Sequence, residues 1–183
     1  MGGLVLALPA MLVSAALAVT VDAQGITRDE ALAAAFPGAT LRAEQMFLTP
    51  EQQEAVAGAA GAEVASALIV RYVATKDGQR VGRAYVDTHT VRTKKETLLV
   101  SLDAGGRVKR IDVTAFLEPS EYRAPEPWLR QYVGRALEAD LGVNRAIRPI
   151  AGATLTARAT NDAVRRILAV DQILESGKTG RQP

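Results

Sequence analysis

The sequence IAGATLTARATNDAVRRILAVD, residues 150–171, joins a turn of small residues to the start of an amphipathic helix. Apolar residues recur there at spacings of three and four, which predicts a buried helix face made of Ala163, Val164, Ile167, Leu168 and Leu174. Small residues before a helix let a bulky group approach the backbone closely. The first helical turn leaves amide groups unpaired at the positive end of the helix dipole, so this stretch favours an anion.

Two hydroxyl groups, those of Thr154 and Thr156, lie at the predicted start of this helix. On spacing alone, the favoured interpretation is that one of them is the helix N-cap and accepts a hydrogen bond from a free amide. The same hydroxyls also lie where a phosphate group would be stabilised. A short motif by itself leaves that second interpretation open.

The region before this motif is predicted to form an antiparallel sheet. Alternating apolar residues predict strands, and Lys76-Asp77-Gly78 and the glycine pair 105–106 predict tight turns between them. The predicted strands are 65–73, 80–90, 95–102 and 107–117. Four strands joined by short turns form a meander.

Two capping boxes predict helices before the sheet, because Thr27 and Thr49 are each followed three residues later by Glu or Gln. The first helix is expected to end at Phe36, and the second to lie on the surface. A second GATL, residues 38–41, follows the first helix without opening another. We interpret it as a turn.

The segment after the sheet contains a loop and a further helix. Residues 118–127, EPSEYRAPEP, are interrupted by prolines and predict a loop. A helix is predicted for 127–141, ending at Gly142, with an apolar stripe of Leu129, Val133, Leu137 and Leu141. The whole pattern predicts an α+β fold, a twisted antiparallel sheet with helices packed on it. Residues 24–64 form a helical N-terminal part, 65–176 the main domain and 177–183 a flexible tail.

The N-terminus carries an apolar run over residues 4–21, and Val21-Asp22-Ala23 is typical of a signal peptidase site. Residues 1–23 are therefore predicted to be a signal peptide or a membrane anchor, since the run is about long enough to span a bilayer. Either interpretation predicts a periplasmic or other extracytoplasmic location, with residues 4–21 as the anchor if they are not cleaved.

The composition excludes several classes of function. Cysteine is absent and His89 is the single histidine, so disulfides, cysteine-based zinc sites, thiol catalysis and iron–sulfur clusters are excluded. A lone histidine next to Asp87 is a poor metal site, and we interpret it as structural. The net charge of +2, without interleaved basic and aromatic residues, argues against nucleic acid. Any electron transfer would need a borrowed cofactor.

The segment Gly152-Ala153-Thr154-Leu155-Thr156 resembles the flavinylation motif of the FMN-binding domain family. That domain occurs in flavin-carrying subunits of sodium-pumping NADH:quinone oxidoreductases and of Rnf-type electron transport complexes. The order of strands, loop, helix, linker, motif and helix over residues 69–173 is also similar. The family's usual motif has Ser or Thr at the position of Ala151, and often Asp at that of Arg148.

The resemblance implies FMN attached covalently to Thr154 through a phosphoester bond, with Thr156 as the alternative residue. A separate flavin transferase that uses FAD and Mg²⁺ would make the bond. The family's loop after the last strand covers the flavin ring, which makes Glu118, Pro119 and Tyr122 candidate contacts. The residues around the attachment point are candidate cofactor contacts as well: Ala151, Gly152, Ala153, Leu155 and Thr156. The aromatic residues Trp128 and Tyr132 are further candidates behind the flavin ring. In the alternative interpretation, they only pack the helix onto the sheet. The candidate cations near the phosphate are Arg92, Lys94, Arg148 and Arg158.

The implied function is that of an exported electron carrier. It would shuttle electrons between a membrane redox complex and a soluble or membrane-bound acceptor. Two alternatives remain open on the sequence, a non-redox exported module that binds a protein or peptide and an enzyme with loosely held FMN. A dinucleotide fingerprint is absent from the sequence, which argues against NAD(P)H binding in the last case.

Overall fold

A computed structural model describes residues 25–64 and 66–179. Five antiparallel strands form one sheet in the order of the chain: β1 (Thr40–Phe47), β2 (Leu68–Lys76), β3 (Gln79–Thr90), β4 (Lys95–Asp103) and β5 (Val108–Phe116). The predicted α+β class is confirmed. Both predicted tight turns are present, with positive φ angles at Asp77, Gly78 and Gly106, where the short loop requires left-handed backbone.

Helices cover both faces of the sheet. On one face lies α1 (Arg28–Ala35), whose Ala31, Leu32 and Ala35 pack against small and apolar residues of β2, β3 and β4. The other face carries the larger core, built with α2 (Pro50–Ala60), α3 (Glu126–Leu129) and α4 (Thr154–Thr179). Because both faces are covered, β4 is buried over most of its length, and its burial does not strictly alternate.

Both predicted capping boxes are present, with the Thr27 and Thr49 side chains accepting from the amides of Glu30 and Gln52. The surface position expected for the second helix is wrong in part, since Val56 and Ala60 of α2 are buried in the larger core.

The sheet has one strand more than the four-stranded meander predicted from the sequence. Gly38 is in a turn with φ of 71°, as expected for the second GATL, but Thr40 and Leu41 then open β1, which pairs along β2. The region 24–64 is therefore not purely helical. β1 lies at the sheet edge and is mostly exposed or half-buried, so its sequence TLRAEQMF lacks the apolar alternation that marks a strand.

The helix predicted for 127–141 is also wrong. The α3 helix spans only Glu126–Leu129 and continues as a 3₁₀ turn, Arg130–Tyr132. Gly134 then adopts a φ of 79°, and its amide donates to the Val108 carbonyl at 2.7 Å. The chain leaves the helix because the backbone at Gly134 pairs with the start of β5. Val133, which the predicted apolar stripe would bury, is 52% exposed.

The long helix α4 extends past the predicted tail boundary to Thr179. Polar contacts hold it to the rest of the molecule along its length. Arg166 binds Asp87 of β3, Arg165 donates to the Ala60 carbonyl at the end of α2, and Asp171 binds Arg83 of β3. Helix α4 is thus fixed against both the sheet and α2.

The predicted signal peptide or anchor, residues 1–23, lies outside the described residues. Among the helices in residues 25–64 and 66–179, none is both long enough and apolar enough to cross a membrane.

Candidate functional site

The start of α4 forms one wall of a cavity of about 230 Å³ at the end of the sheet. The second wall is the hairpin between β3 and β4, and the third is the loop after β5. The lining residues are Val91, Arg92, Glu118, Tyr122, Gly152, Ala153, Thr154, Leu155 and Thr156. The structure therefore brings the complete Gly-Ala-Thr-Leu-Thr segment together with two predicted loop residues.

The two threonines of the motif have different environments. Thr154 is the first residue of α4, is exposed, and its hydroxyl has no hydrogen-bond partner among the described residues. Thr156 is 1% exposed, and its hydroxyl donates to the Tyr122 carbonyl at 2.7 Å. Of these two hydroxyls, the one of Thr154 is accessible and the one of Thr156 is not.

Neither threonine is the helix N-cap, so the capping interpretation is wrong. The first helical hydrogen bond runs from the Ala157 amide to the Ala153 carbonyl, which places Ala153 at the N-cap position. Ala153 has no side-chain acceptor. The amides of residues 154–156 therefore lack helical partners at the positive end of a 26-residue helix.

Gly152 shapes the turn into the helix through its backbone conformation. Its φ is 76°, in the left-handed region that glycine adopts without steric penalty. A Cβ atom at this position would meet no atom within 4 Å, so the requirement for glycine is conformational and not one of space. The turn also keeps the mouth of the cavity free of a side chain at that point.

Glu118 has a structural task in the cavity wall. One of its carboxylate oxygens accepts hydrogen bonds from the backbone amides of Arg92, Thr93 and Lys94, at 3.2, 2.6 and 2.8 Å. These hydrogen bonds lower the pKa of Glu118. The carboxylate thus holds the β3–β4 hairpin in place. Glu118 is only half-buried, but this contact gives it a defined structural role.

The remaining loop candidates are placed differently. Tyr122 lines the cavity, whereas Pro119 and Ala151 are exposed and do not line it. Trp128 and Tyr132 are buried in the core in an edge-to-face pair, with ring centroids 5.5 Å apart. The Trp128 indole donates to the Arg148 carbonyl at 2.6 Å, and the Tyr132 hydroxyl to Asn161 at 3.1 Å. Both rings pack the core, as the alternative interpretation expected.

Of the candidate cations, Arg92 lines the cavity directly. Lys94 is two residues further along the same hairpin, and Arg158 is one helical turn after Thr154. Val91 was not among the predicted contacts. Val91 lies in a short turn between two strands, and nothing in the sequence around it indicates that it faces the cavity.

His89 belongs to a buried ionic cluster beneath this end of the sheet. Its ring nitrogens bond Asp87 at 2.9 Å and Glu96 at 3.0 Å, while Asp87 binds Arg166 and Glu96 accepts from the Thr160 hydroxyl. Burial disfavours the imidazolium, but the hydrogen bonds to both carboxylates outweigh burial and raise the pKa of His89 to about 9. A structural role fits this geometry. Among the described residues, no group of acidic and histidine side chains could hold a metal ion.

The His89 cluster predicts a pH dependence of stability. The folded-state pKa lies above the ordinary value of 6.5, so the contribution is complete below pH 6.5 and is lost as the pH rises through about 9. We expect the free energy of unfolding to fall by about 3 kcal/mol over this range, as measured by urea titrations. A His89→Gln variant should be less stable at pH 6 and lack this slope. An unchanged slope in the variant would contradict the assignment.

These features define an α+β domain with a small, partly apolar cavity at a helix start and, at its mouth, an exposed threonine hydroxyl without a partner among the described residues. In comparisons with known proteins, the chain matches no family model, no curated protein and no solved structure.

Proposed function

We propose that this protein is an exported electron-transfer flavoprotein that carries FMN on Thr154 through a phosphoester bond. The observation that carries the proposal is the contrast between the two threonines. The Thr154 hydroxyl is exposed and unpaired at the cavity mouth, whereas the Thr156 hydroxyl is buried and bonded to Tyr122. The resemblance of the Gly-Ala-Thr-Leu-Thr segment to the flavinylation motif names the group that would be attached.

The residues around Thr154 fit a phosphodiester. Three amides without helical partners, those of residues 154–156, lie at the positive end of α4, and Arg92 lines the same cavity. A phosphodiester keeps one negative charge, which these groups would stabilise.

The cavity fits part of the flavin. Its volume of about 230 Å³ is below the roughly 300–1,000 Å³ of pockets that enclose drug-sized ligands. Val91, Tyr122 and Leu155 supply apolar and aromatic surface for a flat ring. A ring held at a shallow cavity keeps an edge open to partners. A covalent tether then prevents loss of a weakly enclosed cofactor.

Attachment is a group transfer in which the chain supplies only the nucleophile. The Thr154 oxygen forms a bond to the phosphorus of the FMN half of FAD, the bond to the AMP half breaks, and AMP leaves. The hydroxyl proton goes to the base of the flavin transferase or to solvent, and Mg²⁺ bound with the transferase neutralises the diphosphate. Bound FMN supplies one- and two-electron transfer, which no side chain here can provide.

The remaining parts of the proposal concern place and partners. Export directed by residues 1–23 would place the domain in the periplasm or another extracytoplasmic space. Residues 1–23 would then be cleaved off or would anchor the domain to the membrane. There it would exchange electrons with a membrane redox complex or a soluble acceptor. We propose an electron carrier rather than an enzyme with its own substrate, because electron transfer by a bound flavin needs no catalytic acid or base from the chain.

The proposal is tested by producing the chain with and without a flavin transferase in cells that make FAD. With the transferase, the protein is expected to remain yellow after denaturation and washing, because only a covalent flavin survives that treatment. Its intact mass should rise by one FMN less one water. Protein that comes off the column colourless and unmodified would favour the alternative, a non-redox exported module that binds a protein or peptide.

A further inference from the structure

Cations without side-chain partners are concentrated at the cavity end of the molecule. Over most of the fold, Lys and Arg side chains bind carboxylates, carbonyls or aromatic rings, as Arg71, Arg80 and Arg83 do with Glu175 and Asp171. The cations whose side chains lack a partner within the described residues are Arg92, Lys94, Lys95, Arg148 and Arg158 near the cavity, and Lys76 and Arg135 elsewhere.

Five of these cations, here called the basic rim, belong to the cavity wall or to the segments next to it, and Arg92 lines the cavity itself. Three belong to the hairpin that forms one cavity wall, residues 92–95, and Arg148 and Arg158 flank the Gly152–Thr154 turn on either side in sequence. The exposed or half-buried carboxylates of the same segments are Glu118, which is bonded to hairpin amides, Glu121, and Asp162 one helical turn after Arg158. The buried Asp87 and Glu96 are bonded to His89, and Asp87 also to Arg166. The basic rim contributes five positive charges without side-chain partners among the described residues, in a chain whose net charge is only +2.

Exposed apolar side chains accompany the basic rim. Leu155 at the cavity is 49% exposed, and Leu117, whose amide bonds the Lys95 carbonyl, is 59% exposed. The positive end of α4 points to the same surface. Exposed apolar side chains close to unpaired cations are complementary to an acidic protein surface with a few apolar residues.

We infer that the basic rim is the docking surface for an acidic protein partner, which would be the electron donor or acceptor. The redox role of the partner rests on the proposed function. The charge asymmetry, which supports the docking surface itself, is independent of that function. Long-range attraction would speed encounter and orient the cavity toward the partner, which suits a carrier that must also dissociate. An anionic membrane fits less well, because the one aromatic residue that lines the cavity, Tyr122, is half-buried, and the exposed large apolar residues near it within the described part of the chain are leucines.

The first test compares two charge reversals of equal size in the full chain. Lys94→Glu/Lys95→Glu changes the basic rim but leaves the cavity lining intact, and Lys76→Glu/Arg135→Glu changes unpaired cations elsewhere. Binding to immobilised poly-L-glutamate at low ionic strength should weaken about tenfold in the rim variant and less than about twofold in the control. High salt should remove the difference. Equal losses in both variants would overturn the inference, because net charge alone would then explain binding.

The second test identifies the occupant and separates this inference from the flavin proposal. Vesicles containing phosphatidylglycerol, at the same concentration of negative charge, should bind more weakly than poly-L-glutamate, and stronger binding to vesicles would overturn the choice of a protein partner. In flavin-loaded protein, reoxidation by ferricyanide should slow about tenfold in the rim variant at low salt, while hexaammineruthenium(III) should react faster. A colourless protein that still shows the rim-specific loss of poly-L-glutamate binding would refute the flavin but retain the docking surface.

Discussion

Thr154→Ala is expected to abolish covalent flavin attachment when the variant is produced together with a flavin transferase. The reason is that Thr154 carries the one motif hydroxyl that is both exposed and without an internal hydrogen bond. The intact mass should remain that of the unmodified chain, and the denatured, washed protein should have no visible absorbance. Thr154→Ser retains the hydroxyl and should retain attachment.

Thr156→Val is the matched control, two residues along the same helix. Its expected effect is on stability, because the Tyr122 carbonyl loses the hydrogen bond that the Thr156 hydroxyl donates to it at 2.7 Å. A loss of about 1–3 kcal/mol in the free energy of unfolding is expected, with attachment preserved. If Thr156→Val lost the flavin while Thr154→Ala kept it, the assignment of the reactive residue would be reversed. Loss in both variants would instead point to a damaged helix start, and thermal unfolding of Thr154→Ala would decide this.

The local parts of the fold were predictable because their signals lie close together in sequence. The capping residues Thr27 and Thr49, the turn at Asp77-Gly78 and the apolar face of α4 each involve residues within one or two turns or a single hairpin. The same holds for the motif at the start of α4. Its small residues and threonines are contiguous, so their shared cavity wall follows from one helix start.

The errors in prediction arose where long-range pairing decided the structure. β1 is defined by its register with β2, in which Thr40 lies opposite Thr75, and not by its own polar sequence. The predicted helix at 127–141 has suitable periodicity, yet Gly134 leaves it to bond Val108, some 26 residues away. Tertiary hydrogen bonds there override helix propensity.

The roles of individual polar residues in the site also depended on distant partners. Sequence alone could not show that Glu118 reaches back to the amides of residues 92–94, or that Thr156 is used by Tyr122. These contacts distinguish side chains that position the cavity walls from side chains without a partner among the described residues. They are the reason why the two threonines, equivalent in the sequence, differ in the folded protein.

The position of Thr154 depends on how firmly α4 is held at its far end. There, Asp171 is 3% exposed and accepts from Arg83 Nη2 at 2.8 Å and from the Tyr85 hydroxyl at 2.7 Å. Arg83 is itself buried, and its nearest other carboxylate, Glu175, is 3.8 Å from Nη1. The helix and the sheet are therefore joined by a buried ion pair whose two charges neutralise each other.

Asp171→Ala is expected to lower the free energy of unfolding by about 3–5 kcal/mol, because it leaves the Arg83 charge buried without its bidentate partner. Urea titrations at pH 7 measure this loss. Asp162→Ala, which removes an exposed carboxylate from the same helix, should change stability by less than about 0.5 kcal/mol. Asp171→Leu combined with Arg83→Met removes both charges and should recover at least about 2 kcal/mol of the loss, since a buried pair contributes little beyond mutual neutralisation. A double variant no more stable than Asp171→Ala would show that the Tyr85 hydrogen bond, and not the ion pair, holds α4 to the sheet.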